Sequence, residues 1–179
     1  MNKRLMVLTG IVAAAAMARL MPHPPNITPI AAMALFGGAF LSNRRLAYTL
    51  PLAAMLLSDL VLGMTLYGKA MLISQPIVYA CFLVTVAMGK LIRDRRSVLN
   101  VGAVALASSS LFYVVTNFAV WASGSLYPHT LAGLMVCYTA AIPFFRNSLI
   151  GDMAYTAILF GGFALLENAV VSVQEKQAA

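Results

Sequence analysis

Long apolar runs, separated by short polar stretches, occupy most of the chain up to about residue 170. A helix that crosses a bilayer needs about 20 mostly apolar residues, and six runs approach that length. The pattern therefore predicts an all-α membrane protein with six spans, at residues 4–21, 28–42, 46–64, 72–92, 98–122 and 148–170. Because short loops account for nearly all of the remainder, we expect residues 1–179 to form a single integral membrane domain.

The stretch at residues 123–147 fits this pattern least well. Its core, "HTLAGLMVCYTAAIPFF" at 129–145, is apolar but short, and Pro143 interrupts it near its end. It is either a seventh span or an outer loop with a partly inserted segment. We predict the loop, because proline disrupts a helix and irregular backbone at membrane depth is tolerated where it lines a cavity.

The composition agrees with a membrane protein. Hydrophobic residues make up 61% of the chain and charged residues 9%, and the mean hydropathy is +0.87, as expected when an outer surface faces lipid. The net charge of +7 does not indicate nucleic-acid binding, because the basic residues form short clusters between apolar runs. Two cysteines, Cys81 and Cys137, are too few for a disulfide framework.

The distribution of basic residues predicts the orientation of the spans. Lysine and arginine are enriched in cytoplasmic loops, which places both termini in the cytoplasm and the loops near 22–27, 65–71 and 123–147 outside. The inner side then carries Lys3, Arg4, Arg44, Arg45, Lys90, Arg93, Arg95, Arg96 and Lys176, and the outer side only Arg19, Lys69 and Arg146. An alternative for residues 1–18 is a signal peptide, with a basic start, an apolar core and an Ala16-Met17-Ala18 cleavage site.

The first outer connector, "PHPPN" at 22–26, combines stiffness with polar groups. Three prolines exclude a helix and favour extended backbone, and His23, Asn26 and Thr28 lie in or just after it. The segment is either a stiff turn or one wall of a ligand site.

Asp59 lies deep in the third predicted span, where a carboxylate is costly and marks a functional candidate. It either contacts a ligand or forms a hydrogen bond or ion pair with a neighbouring helix. Other polar groups also concentrate in the outer half of the spans. Apart from Asp59 and the connector, the candidate ligand-binding residues are Tyr79, Thr85, Tyr113, Asn117, Asp152 and Tyr155. Hydrogen bonding between helices is the alternative explanation for these side chains.

Cys81 lies near the middle of the fourth predicted span, without a second cysteine nearby. A free cysteine in an apolar helix usually packs as a small hydrophobic group and is a poor nucleophile. It loses its proton readily when it coordinates a metal. The sequence near Cys81 has no further metal-ligand pattern, so any metal would have to arrive with the ligand.

Gly10, Ala14 and Ala18 recur every four residues in the first span. Small residues at this spacing let a second helix approach closely. That helix belongs either to the same chain or to a partner protein.

The whole layout resembles the BtuM family, solitary S-components of the energy-coupling factor (ECF) type that carry vitamin B12. The resemblance rests on "RLMPHPPNITPIAAMALFGGAF" at 19–40 and on the lone cysteine in the fourth span. It implies a transporter subunit whose site opens outward and whose cysteine, mapped here to Cys81, ligates the cobalt of cobalamin and removes cyanide from cyanocobalamin. Cys137 is the fallback ligand, and His23 and His129 are competing axial ligands, since thiolate and imidazole both bind such metals.

The same resemblance implies that Ala14 and Ala18 dock on a coupling subunit of an ECF-type module. The chain has no GxxxxGK[ST] motif, so a partner or a gradient would supply the energy. No intrinsic cofactor is expected, and the chain is an enzyme only in so far as Cys81 removes cyanide. The alternatives are an S-component for another small substrate and a membrane scaffold protein without a transport role.

Overall fold

The computed structural model describes residues 3–68 and 75–178, and this part of the chain is helical apart from short connections. The predicted all-α class is confirmed. The helices are α1 (Lys3–Ala18), α2 (Ile30–Phe40), α3 (Arg44–Leu62), α4 (Gln75–Leu91), α5 (Val98–Ser123) and α6 (Leu131–Ala178), and a π-helical turn (Gly63–Tyr67) extends α3. Lys69 and the start of the predicted span 72–92 lie outside the described residues.

Three of these helices are long and apolar enough to cross a membrane: Arg44–Leu66, Val98–Ser123 and Leu131–Asn168. The apolar helices Arg4–Ala18, Ile30–Phe40 and Pro76–Leu91 are shorter. The prediction of six full-length spans is therefore confirmed only in part. Many large apolar side chains remain exposed, such as Leu57 and Leu165 at 64% and 72%, as expected for a surface covered by lipid.

The predicted loop at 123–147 is wrong. Helix α5 continues to Ser123 and α6 begins at Leu131, with Pro143 inside it. Proline removes only one backbone hydrogen bond, and packing against α5 holds the helix on the N-terminal side of Pro143. The hydroxyl of Tyr113 donates to the Tyr138 carbonyl, and that of Tyr138 donates to the Val114 carbonyl, both at 2.7 Å. The predicted span 148–170 is thus only the middle of α6.

Helix α2 is the centre of the bundle. Ala32 to Phe40 are all buried, and the helix packs against α3, α4 and α6. Glycine is required where α2 meets α4, because a Cβ at Gly38 would overlap the carbonyl of Val86, and one at Gly89 that of Leu35. Gly38 and Gly89 therefore let the two helix backbones touch.

Arginines that follow α4 cap the C-terminal end of α2. Arg93 donates to the Leu41 carbonyl, and Arg96 donates to the Ala39 carbonyl at 3.3 Å. Arg96 also lies over the ring of Phe40, 4.5 Å from its centroid. These contacts satisfy carbonyls that a helix end leaves without partners.

Candidate functional site

A cavity of about 190 Å³ lies inside the bundle, beneath the loop 19–29 that joins α1 to α2. Its walls combine a few polar groups with apolar side chains, as small-molecule sites do. The lining residues are Arg19, Asn26, Thr28, Ile30, Ala31, Met55, Val78, Phe82, Thr85, Ser108, Phe112, Ser148 and Asp152.

The loop is held against α6 on one side of the cavity. The Asn147 amide donates to the Pro25 carbonyl at 3.1 Å, and a Cβ at Gly151 would lie 3.0 Å from the Ile27 Cα. Asn26 adopts a left-handed backbone conformation, with φ of 64°. The connector is therefore a packed cover that supplies Asn26 and Thr28 to the cavity.

A buried ion pair between Arg19 and Asp59 holds the other side of the loop. Asp59 is completely buried and accepts a hydrogen bond of 2.7 Å from the Tyr79 hydroxyl. Arg19 also donates to the Ser58 hydroxyl at 2.7 Å. Of the two interpretations offered for Asp59, the structure shows the ion pair, and neither Asp59 nor Tyr79 lines the cavity.

Arg19 is the lining residue that sequence reasoning missed most clearly. The sequence indicates Arg19 only as a positive charge on the outer side, and it places Asp59 in the outer half of the third predicted span. The opposite charges of Arg19 and Asp59 at a similar predicted depth are the signal in the sequence that could have indicated this ion pair. The sequence has no comparable charge pair to indicate the other lining residues, which are Ser108, Ser148 and the apolar side chains.

Asp152 of α6 also lines the cavity. It is 7% exposed, and its Oδ2 accepts a hydrogen bond of 2.7 Å from the Ser109 hydroxyl of α5. Close by, the hydroxyls of Thr85 and Ser108 are 2.7 Å apart. Thr85 also donates to the Cys81 carbonyl at 3.0 Å, so Ser108 is the donor within the hydroxyl pair.

Cys81 lies directly behind this wall. Its side chain is buried, and it does not line the cavity, whereas Val78, Phe82 and Thr85 of the same helix do. Cys137 is also buried, and its thiol donates to the Asn117 carbonyl at 3.5 Å. Among the described residues, no group of three or more His, Cys, Asp and Glu side chains could hold a metal ion.

Tyr113 and Asn117 line a second cavity of about 140 Å³, which shares Asn26, Phe112 and Ser148 with the first. The Asn117 amide donates to the Tyr113 carbonyl at 2.8 Å. His23 lies outside both cavities, with its ring nitrogens 3.0 and 3.2 Å from the carbonyl oxygens of Pro24 and Arg19. His129 approaches the Gly124 carbonyl at 3.2 Å.

Tyr155 belongs to a different surface from the other candidates. Together with Ala14 and Ala18 it lines an external groove of about 700 Å³ between α1 and α6. Gly10 and Ala14 are exposed, and nothing lies within 4 Å of a Cβ added at Gly10. The small-residue stripe is therefore not covered by the described part of this chain.

These features define, over the described residues, an all-helical protein with membrane-length apolar helices and a cavity whose mainly apolar walls carry a few polar groups. Residues 1–176 match the family described as "Family of unknown function (DUF6580)", and the chain belongs to this family. Comparison with curated proteins and with solved structures gives no match.

Proposed function

We propose that the protein is a multi-pass carrier of the bacterial cytoplasmic membrane that binds a small molecule beneath the loop 19–29 for uptake. The observation that carries this proposal is a cavity inside an apolar bundle whose walls carry a few polar groups and to which one packed loop contributes side chains. In the proposed orientation six helices cross or enter the membrane, both termini face the cytoplasm, and the arginines after α4 lie on the inner side.

The ligand proposed first is cobalamin, with Cys81 as the residue that binds its cobalt. The sequence likeness to S-components for vitamin B12 supports this choice, and Cys81 lies one position from the cavity-lining Phe82. When the thiolate replaces cyanide on the cobalt, the thiol proton leaves with the cyanide, so no oxidant or reductant is needed. A soft sulfur ligand suits the metal.

The cavity is too small for cobalamin unless the protein changes shape when it binds. Cobalamin is several times larger than the cavity of about 190 Å³. Binding therefore includes displacement of the loop 19–29 and a rearrangement of α4 that brings the Cys81 thiol to the ligand.

A carrier for a smaller substrate is the second candidate, and the cavity volume together with the buried position of Cys81 favours it. In both cases the groove beside Ala14 and Ala18 is proposed as the face that docks on an ECF-type energising module. This docking proposal is supported by the exposure of Gly10 and Ala14 on the surface of α1.

Visible absorption of the detergent-purified protein with cyanocobalamin tests the first proposal. We expect wild type and Cys137→Ala, the matched control, to shift the corrinoid spectrum, and Cys81→Ala to leave it unchanged. A shift that survives in Cys81→Ala contradicts the ligand assignment. Absence of binding by wild type favours the smaller substrate, and failure to support uptake of either class in cells that depend on the protein favours a scaffold role.

A further inference from the structure

One oxygen of the buried Asp152 carboxylate has no hydrogen-bond partner among the residues that the structure describes. Oδ2 accepts the hydrogen bond from Ser109, whereas no described group donates to Oδ1 and no described lysine or arginine pairs with this carboxylate. The residue is 7% exposed and lines the cavity. A buried carboxylate is stable only when its oxygens find donors, and for Oδ1 that donor must come from the cavity that Asp152 lines.

Of the other polar side chains on the wall, Arg19, Thr85 and Ser108 have partners within the protein, whereas Asn26, Thr28 and Ser148 are uncharged and form no side-chain hydrogen bond with a described residue. The positive charge of Arg19 is matched by Asp59, and the hydroxyls of Thr85 and Ser108 bond to each other. The remaining ionisable side chain on the wall is therefore Asp152. This arrangement favours a ligand that brings a hydrogen-bond donor, and hydrogen bonds from N–H groups to carboxylates are among the strongest.

We propose that Asp152 accepts a hydrogen bond from an N–H group of the bound ligand, so that ligands of this cavity carry an amide or an amine. The inference rests on the proposed function, in that the cavity is taken as the binding site. Two ligand sources share this chemistry. A corrinoid offers the primary amides at the rim of its ring, and a smaller substrate offers an amino group.

Ser109 acts as a positioning residue in this scheme. Its single hydroxyl proton has two acceptors within reach, Asp152 Oδ2 at 2.7 Å and the Ala105 carbonyl at 3.0 Å, and the shorter contact restrains the carboxylate while Oδ1 stays available to a ligand. Phe82 and Phe112, which pack with ring centroids 5.8 Å apart, form the apolar wall for the carbon skeleton of the ligand.

The first arm of the test uses cyanocobalamin and its monocarboxylate derivatives, in each of which one rim amide is hydrolysed. We expect one derivative to bind wild type at least about tenfold more weakly than cyanocobalamin, because a carboxylate replaces the N–H donor opposite Asp152. Asp152→Asn should bind cyanocobalamin about tenfold more weakly than wild type and should discriminate less against that derivative.

The second arm uses benzylamine and benzyl alcohol, which have the same shape and differ in the donor group. We expect benzylamine, and not benzyl alcohol, to raise the unfolding temperature of wild type, and Asp152→Asn to lose this difference. Asp94→Asn is the matched control for both arms, because Asp94 is an exposed carboxylate in the connection after α4. It should behave as wild type.

The outcomes separate the inference from the proposed cobalamin function. If wild type discriminates between cyanocobalamin and one of its derivatives in the first arm, the result supports both the role of Asp152 and cobalamin as the ligand. If wild type discriminates only between benzylamine and benzyl alcohol, the result supports the role of Asp152 and contradicts cobalamin as the ligand. If wild type fails to discriminate in both arms, or if Asp152→Asn discriminates as wild type does, the inference is overturned whatever the spectrum of Cys81→Ala. Because both arms compare ligands on wild type, the test stands even if Asp152→Asn does not fold.

Discussion

Arg19 forms a buried ion pair with Asp59 and thereby joins the turn after α1 to the middle of the bundle. The Tyr79 hydroxyl donates to the same carboxylate at 2.7 Å, so α4 takes part as well. Three segments that are distant in sequence are thus tied together at one edge of the cavity, where the loop 19–29 begins.

Removal of Arg19 should be strongly destabilising. Arg19→Met leaves the Asp59 carboxylate buried without its cation, and loss of one partner of a buried pair costs about 3–5 kcal/mol. Denaturant unfolding of the detergent-purified protein measures the change in the free energy of unfolding. Arg4→Met is the matched control, since the Arg4–Glu167 pair has side-chain exposures of 47% and 45%, and a change below about 1 kcal/mol is expected. Equal effects of the two substitutions would contradict the role given to Arg19.

The contact between α2 and α4 should not tolerate a methyl group. Gly38→Ala and Gly89→Ala each direct a Cβ into a backbone carbonyl of the facing helix, so the helices must separate and we expect a loss of about 3 kcal/mol. Gly10→Ala is the control, because open space surrounds that position, and alanine favours a helix by about 0.5–1 kcal/mol. Thermal unfolding compares the three variants. A stable Gly38→Ala variant would show that the two backbones do not touch.

Loosening the loop 19–29 should open a path toward Cys81. Asn147→Ala removes the amide that donates to the Pro25 carbonyl, and in a Cys137→Ala background we expect Cys81 to react with N-ethylmaleimide about 3- to 10-fold faster. Asn100→Ala removes a comparable hydrogen bond to the Arg95 carbonyl, of 2.8 Å, at the other end of the bundle, and should leave the rate unchanged. A labelling rate that is the same in all three proteins would show that the loop does not control access.

Enlarging the small-residue face should impair function without affecting the fold. Ala14 is exposed in the groove between α1 and α6, so Ala14→Leu should unfold at the same temperature as wild type and yet lose substrate uptake in cells. Ala15, one position further on, is 5% exposed, and Ala15→Leu should instead lower the unfolding temperature. Normal uptake by Ala14→Leu would contradict a docking role for this face.

The helical class and most helix positions could be predicted because long apolar runs separated by charged turns leave few alternatives. The interval 129–145 could not, since the effect of Pro143 depends on whether a neighbouring helix supports the backbone. Here α5 does so through Tyr113. Local sequence carries no information about such a partner.

The sequence predicts which part of the bundle holds the candidate site, but not the full set of residues that line it. Asp152, Asn26, Thr28 and Thr85 do meet at one cavity, because polar residues near one end of several helices converge there. Tyr155 was assigned to the same site by depth alone, but the rotation of α6 turns it to the groove beside Ala14. The depth of a residue within the bundle follows from its position along a helix in the sequence. The rotation of that helix about its axis depends instead on close packing between helices, such as that at Gly38.

The short central helix has a consequence for biosynthesis. Helix α2 has 11 residues, about 16 Å of helix, which is too short to cross a hydrocarbon layer of about 30 Å. The ribosome delivers it well before α4 and α6, which bury it in the finished protein. In the proposed membrane orientation only α1 precedes it, so the burial of α2 is complete only after α3, α4 and finally α6 have been made.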